Sequence, residues 1–271
     1  MFDLIVKCRQ KYKEMGIGGR TNSFALVLSD MRRLAWFKHY AELNDTRMQR
    51  LLEGIISDRF CDYFDRKSQD AARDLPNLNF FISQGYKRGV RWQGVPLGKT
   101  CFDISIYQQM LQEIRPGTII EFGTALGASA MYFADCCRMF DLETEIITID
   151  KKNDGISSKL FAYPNIQFIL GDVLNVEELL PAQKLELLPH PWLVVEDAHT
   201  HLSVIVNHLY PFLATGDYFV VEDLGVLPEG EAEIARALRT IQSCSLKVDT
   251  FYTDMFGRNT TSSPDSIFRY M

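Results

Sequence analysis

The chain has 271 residues, 46% of them hydrophobic, and a formal net charge of −6. That is enough apolar material for one full core domain plus an accessory segment, and it excludes a disordered chain. No basic stripe offsets the acidic balance and no apolar run reaches the roughly 20 residues that span a bilayer, so neither nucleic acid nor a membrane is an expected partner.

The opening "MFDLIVKCRQKYKEMG" lacks the long apolar stretch of a signal peptide. Six cysteines (Cys8, Cys61, Cys101, Cys136, Cys137, Cys244) show neither a CxxC pair nor a histidine spacing suited to zinc. Reduced thiols and a cytoplasmic location are expected. "NDT" at Asn44 and "NTT" at Asn259 match the glycosylation pattern and, with a cytoplasmic location expected, are expected to be chance matches.

Residues 1–90 read as a mainly helical segment. In "DTRMQRLLEGIISDRF", Met48, Leu51, Leu52, Ile55, Ile56 and Phe60 recur at helical spacing and form one apolar face. This segment is expected to cap a ligand site of the core or to build the contact of a homo-oligomer. "QGYKRGVRWQGVPLGKT", with four glycines, is either a boundary or an active-site loop. Trp92, Phe102 and Tyr107 are candidates for lining a ligand pocket or for the core.

Beyond Gly117, within a domain expected over residues 91–271, short β-branched runs alternate with helix-length segments: "TIIEF", "EIITID", "IQFIL", "WLVVED", "YFVVED", "LKVDTFY" and "SIFRYM". Continuously apolar strands separated by helices indicate a parallel sheet covered on both faces, an α/β doubly wound domain. The last two runs are separated by a loop without an obvious helix, which allows a hairpin and an antiparallel strand. "DMFGRNT" within that loop is a lid or a plain surface loop.

The first core strand leads into "EFGTALGASAMYFADCC", where Gly123 and Gly127 bracket a tight turn before an Ala-rich helix. In such folds ligands sit beyond the carboxyl ends of the strands, and glycine lets the backbone approach them. Ala125 stands where a dinucleotide fingerprint has its middle glycine, and Glu121 precedes the turn, which disfavours a pyrophosphate and suits a cofactor with an ammonium group. Asp150, ending the next strand, is placed to accept from ribose hydroxyls, a feature that NAD and S-adenosylmethionine share. Asp172, after the third strand, is placed to meet an adenine amino group.

The fourth and fifth strands both end in Glu-Asp, at Glu196 and Asp197 and at Glu222 and Asp223. Asp197, Glu222 and Asp223 lie on the same sheet edge as the glycine turn, where they either converge on a hard divalent cation such as magnesium or cap helices and form salt bridges. His199 and His201 follow in "EDAHTH" as candidate proton acceptors, or as helix-start and surface histidines.

Together, "DISIYQQMLQEIRPGTIIEFGTALGASAMYFAD", "IITID", "WLVVEDAHTH" and "ATGDYFVVEDLG" resemble the cephalosporin hydroxylase and rhamnosyl O-methyltransferase family, a branch of the class I S-adenosylmethionine-dependent methyltransferases, over about residues 90–225. The resemblance implies a Rossmann-like fold, S-adenosylmethionine as cofactor, Mg2+ held by Asp197, Glu222 and Asp223, and O-methylation of a hydroxylated small molecule such as a sugar, a polyketide or another secondary metabolite. A nucleotide-dependent oxidoreductase and a non-catalytic cofactor-binding scaffold are the competing expectations.

Overall fold

The structure, a computed structural model, describes residues 59–67, 89–223, 230–241 and 244–271. In chain order its strands are β1 Phe60–Cys61, β2 Arg91–Trp92, β3 Val95–Pro96, β4 Thr118–Phe122, β5 Glu145–Asp150, β6 Ile166–Leu170, β7 Trp192–Glu196, β8 Tyr218–Val221, β9 Leu246–Asp249 and β10 Ile267–Tyr270. The α-helices are α1 Tyr63–Lys67, α2 Cys101–Ile114, α3 Ala128–Met139, α4 Val176–Leu179, α5 Ala182–Leu185, α6 Leu202–Leu209, α7 Gly230–Thr240 and α8 Thr250–Thr253.

One sheet runs β1-β9-β10-β8-β7-β4-β5-β6, and β2 pairs with β3 in a separate hairpin. From β6 to β8 every pairing is parallel. The expected hairpin near the C-terminus is present: β10 pairs antiparallel with β9 and inserts between it and β8. Strands β4, β7 and β8 are buried at every residue, which is why they read as unbroken apolar runs rather than alternating ones.

Each strand sends alternate side chains to opposite faces. Ile119, Leu193, Val195 and Val220 pack with α2 and α3 on one face. Ile120, Phe122, Val194, Phe219 and Val221 pack with α6 and α7 on the other. This two-sided packing fixes where every strand-end side chain emerges.

Two local expectations are corrected. Phe60, counted with a helical face, lies in edge strand β1 opposite Asp249; the rest of that face lies outside the described residues, as does the role expected of the segment before the core. The loop after β9 is neither free of helix nor exposed throughout, although Phe256 in "DMFGRNT" is exposed. It begins with α8, and Asn259–Ser266 is buried. Arg66 Nη2 donates to Asp254 Oδ1 at 2.6 Å and to Asn259 Oδ1 at 3.3 Å. The "NTT" asparagine is thus an interior hydrogen-bond acceptor.

Edge strand β1 is tied down by charge as well as by its ladder. Arg59 Nε and Nη2 both donate to the Asp249 carboxylate, at 2.9–3.1 Å, and the Tyr218 hydroxyl donates to it at 2.8 Å. A buried carboxylate is tolerated only when its lone pairs are met in this way. Among the described residues no helix is long and apolar enough to cross a membrane, and no described cysteine is in a disulfide.

Candidate active site

Strand β4 lies between β5 and β7, where the strand order reverses, and a crevice at such a point is where doubly wound sheets bind ligands. The turn leaving β4 is left-handed at Gly123 (φ 101°), Ala125 (φ 46°) and Gly127 (φ 83°). A Cβ at Gly123 would lie 2.5 Å from the Asp197 carbonyl oxygen, so only glycine lets the turn pass the end of β7. Ala125 carries the ordinary penalty of an L-residue there, about 1 kcal/mol, and its N–H donates to Asp150 Oδ2 at 2.9 Å. Lys152 N–H reaches the other oxygen of Asp150 at 3.0 Å. Asp150 therefore ties the glycine turn to the end of β5.

Glu121 is fully buried one residue before the end of β4. Thr148 donates to its Oε2 at 2.6 Å, while Oε1 makes no hydrogen bond. Burial pushes its carboxyl up, and the ammonium of Lys99 works against that shift. Asp172 caps the short 3-10 turn Val173–Asn175 by accepting from Leu174 N–H at 3.0 Å.

The two Glu-Asp pairs do not act as pairs, because neighbours on a strand face opposite ways. Glu196 accepts from the N–H groups of Ala198 and His199 at 3.2 and 3.0 Å, so it caps the turn that follows β7. Glu222 and Glu121 share the sheet parity that faces α2. Glu222 takes the Tyr107 hydroxyl from α2 and the Lys99 ammonium, the latter at 2.5 Å. Asp223, left-handed at φ 56°, turns out of strand geometry and joins Asp197 and His199. His199 Nε2 stands 3.3 Å from Asp197 Oδ1 and 3.5 Å from Asp223 Oδ2.

Two of the three residues expected to hold a metal, Asp197 and Asp223, come together with His199. Among the described residues these three form the tight cluster, each offering a ligand atom within 4.8 Å of the others. Glu222 adjoins it but is engaged by Lys99 and Tyr107. His199, expected as a proton acceptor, is drawn among the carboxylates; His201 is exposed at the start of α6 and stands outside the cluster. Of the aromatics considered for a ligand pocket, Tyr107 reaches the site. Trp92 instead donates to Asp135 on α3 at 2.8 Å, and Phe102 packs on Phe256.

Lys99 is the residue that motif reading missed. It ends the glycine-rich loop and precedes Thr100, which caps α2 together with Asp103. Its Nζ also lies 3.3 Å from Asp197 Oδ2. Burial by itself would discharge Lys99, but Glu222, Asp197 and Glu121 outweigh it and hold the ammonium charged. The position of that loop is set by Asp135, which accepts from Trp92, Gln93 and Tyr163.

Burial pushes Asp197 up to about 7 and Glu222 up to about 7, each opposed by Lys99. It pushes Asp223 up to about 6, helped by the charge of Glu222. Burial lowers His199, which favours the neutral imidazole, and its Nδ1 makes no hydrogen bond. Two carboxylates and a neutral imidazole at such spacing, with more acid than Lys99 neutralises, fit a divalent cation with oxygen and nitrogen ligands. The unpartnered Glu121 Oε1 fits a ligand that brings a donor, as an ammonium does.

A sheet that is parallel from β6 to β8 with the antiparallel β10 inserted between β8 and β9, a glycine turn after the first core strand and an acid ending the second define the Rossmann-like fold of the class I methyltransferases. The family described as Rhamnosyl O-methyltransferase/CmcI matches residues 84–237, and the chain belongs to it. Rhamnosyl O-methyltransferase of Mycobacterium tuberculosis (strain ATCC 25618 / H37Rv) is 28% identical over 139 residues, which is 50% of this chain and 57% of that protein. The counterpart in Mycobacterium leprae (strain TN) is 28% identical over 136 residues, 49% of this chain and 59% of that one. The chain thus spans somewhat more than half the length of the curated relatives it matches. A solved structure of CmcI with SAH superposes with a TM-score of 0.55 at 26% identity, covering 79% of this chain and 95% of that one. A CmcI structure with Mg and SAM shows the same fold, with a TM-score of 0.53 at 24% identity over 86% of this chain and 99% of that one.

Proposed function

We propose that the protein is a divalent-cation-dependent O-methyltransferase that uses S-adenosylmethionine and methylates a hydroxyl of a small molecule. The observation that carries this reading is the juxtaposition of the Gly123 turn with Asp197: the cofactor crevice and the Asp197, His199 and Asp223 cluster share one backbone contact. The matched relatives are named for methylation of a rhamnosyl group, which supports a sugar hydroxyl among the acceptors.

Glu121 Oε1 would orient the cofactor's ammonium and Asp150 its ribose, while Asp197, Asp223 and His199 would hold Mg2+, with Glu222 in reserve beside them. When bound, S-adenosylmethionine supplies an electrophilic methyl group and the cation supplies Lewis acidity that makes an acceptor hydroxyl easier to ionise. The residues then have two tasks. They align the acceptor oxygen with the methyl carbon, a matter of orientation, and they take up its proton. His199, if not claimed by the cation, accepts that proton at Nδ1, which has no other partner.

Calorimetry with S-adenosylhomocysteine tests the cofactor assignment: binding is expected, weakened by Asp150→Ala, whereas binding of NAD in its place would sink it. Mass spectrometry of sugar and phenolic acceptors incubated with S-adenosylmethionine tests the reaction. EDTA should abolish the added methyl mass and excess Mg2+ restore it; methylation that persists undiminished in EDTA would remove the cation from the reading.

A further inference from the structure

Four carboxylates, Glu121, Asp197, Glu222 and Asp223, gather at this crevice, and a fully buried side chain already brings a positive charge to them. Lys99 Nζ sits 2.5 Å from Glu222 Oε1 and 3.3 Å from Asp197 Oδ2, and only 1% of its side chain is exposed. The position is built rather than incidental. Its loop is clamped to α3 through Asp135, and α2, capped at the very next residue, delivers Tyr107 to the same Glu222 oxygen. The Tyr107 ring also lies 5.4 Å from Nζ.

We propose that Lys99 is an internal counter-ion that competes with the divalent cation for the carboxylates of this site and so sets the affinity for it. The inference rests on the cation reading above. Asp197 is shared: one oxygen faces His199, the other faces Lys99. An ammonium held that close to a cation ligand opposes a second positive charge through a medium that screens it poorly. It also occupies Glu222, an oxygen donor next to the cluster. Lys99 is therefore a positioning residue. It holds the Glu222 and Asp197 carboxylates in place when no cation is present, and it must yield part of that hold when one arrives. The fold stays assembled in the cation-free state, and the cation is bound weakly enough to exchange.

The experiment is calorimetric titration of the full chain with Mg2+, repeated with Mn2+, without cofactor or acceptor. Lys99→Met should tighten cation binding about tenfold or more relative to the wild type, because the repulsion is gone and Glu222 is released. Lys99→Arg, which keeps the charge, should stay near the wild type. Since Lys99→Met leaves buried acids without their partner, the comparison is also made between Glu222→Gln and Lys99→Met/Glu222→Gln, where the pair is removed together; the double variant should again bind the cation more tightly. Unchanged or weaker binding in both Lys99→Met backgrounds would overturn the proposal while leaving the cation reading intact. If no variant and no wild-type sample binds either metal, the cation reading falls and this inference with it.

Discussion

The backbone of Gly123 rests against the carbonyl of Asp197, so closely that a side-chain carbon at residue 123 would lie 2.5 Å from that oxygen. The candidate cofactor turn and the candidate cation site are therefore in direct backbone contact, and a disturbance of either is expected to reach the other. Gly123→Ala is expected to lower stability by about 2 kcal/mol or more, since it adds a clash to a left-handed strain, and to weaken S-adenosylhomocysteine binding. Gly216→Ala separates the two contributions: Gly216 has φ 103° with nothing within 4 Å of its would-be Cβ, so it carries strain alone. Urea denaturation of both variants checks the ranking; equal losses would mean that the contact with Asp197 contributes nothing.

His199 stands between two carboxylates and keeps Nδ1 without a partner. Under the proposed function it acts, as cation ligand or as proton acceptor, on the acceptor hydroxyl. His199→Gln should reduce turnover by about a hundredfold or more, with S-adenosylhomocysteine affinity unchanged in calorimetry. A variant that turns over at the wild-type rate would show that the imidazole only packs.

Cation binding should depend on pH in a stated direction. Asp197 is pushed up to about 7 and Asp223 to about 6 in the cation-free fold, so below those values a cation must displace protons. Affinity should fall as pH drops from 7 towards 5, and titrations in two buffers of different ionisation enthalpy should reveal proton release. The sign for folding is opposite. These acids hold protons in the native state that an ordinary carboxyl, with a pKa of about 4, has already released. Their contribution is greatest below about pH 4 and is lost as pH rises to about 7. A pH-independent cation affinity between 5 and 7 would contradict the buried, proton-retaining site.

The Arg59–Asp249 pair anchors the edge strand to the sheet, and Asp249 is fully buried. Asp249→Ala leaves a buried guanidinium without its main partner and should cost about 3–5 kcal/mol in urea denaturation. Arg59→Met/Asp249→Leu, which removes the pair, should recover most of that loss; a double variant no better than the single one would mean that the pair is not what holds β1.

The seven core strands were legible as short runs rich in β-branched and aromatic residues, unbroken in β4, β7 and β8, which are buried at every residue. The edge strand at Phe60 was not legible: two residues carry no period, and what holds them is Arg59 reaching Asp249, 190 positions away. The loop after β9 read as a surface because it is rich in Ser, Thr and Asn. It is interior because Arg66, Asp103 and the backbone of Val221 meet those groups.

At the site, the glycine turn, Glu121, Asp150 and the acids of the fourth and fifth strands could be read from local order, since the end of a parallel strand has one address in such a sheet. The division of labour among those acids could not. Glu196 turned inward as a cap, Glu222 met Lys99 and Tyr107, and Asp223 swung to His199 through a left-handed backbone. Sequence by itself determined which residues reach the sheet's carboxyl edge, because strand periodicity and turn chemistry act between neighbours. Only the tertiary structure decided which charges face one another there, because Lys99 comes from a loop 123 residues from Glu222, and a buried ion pair is set by distance in space rather than by distance along the chain.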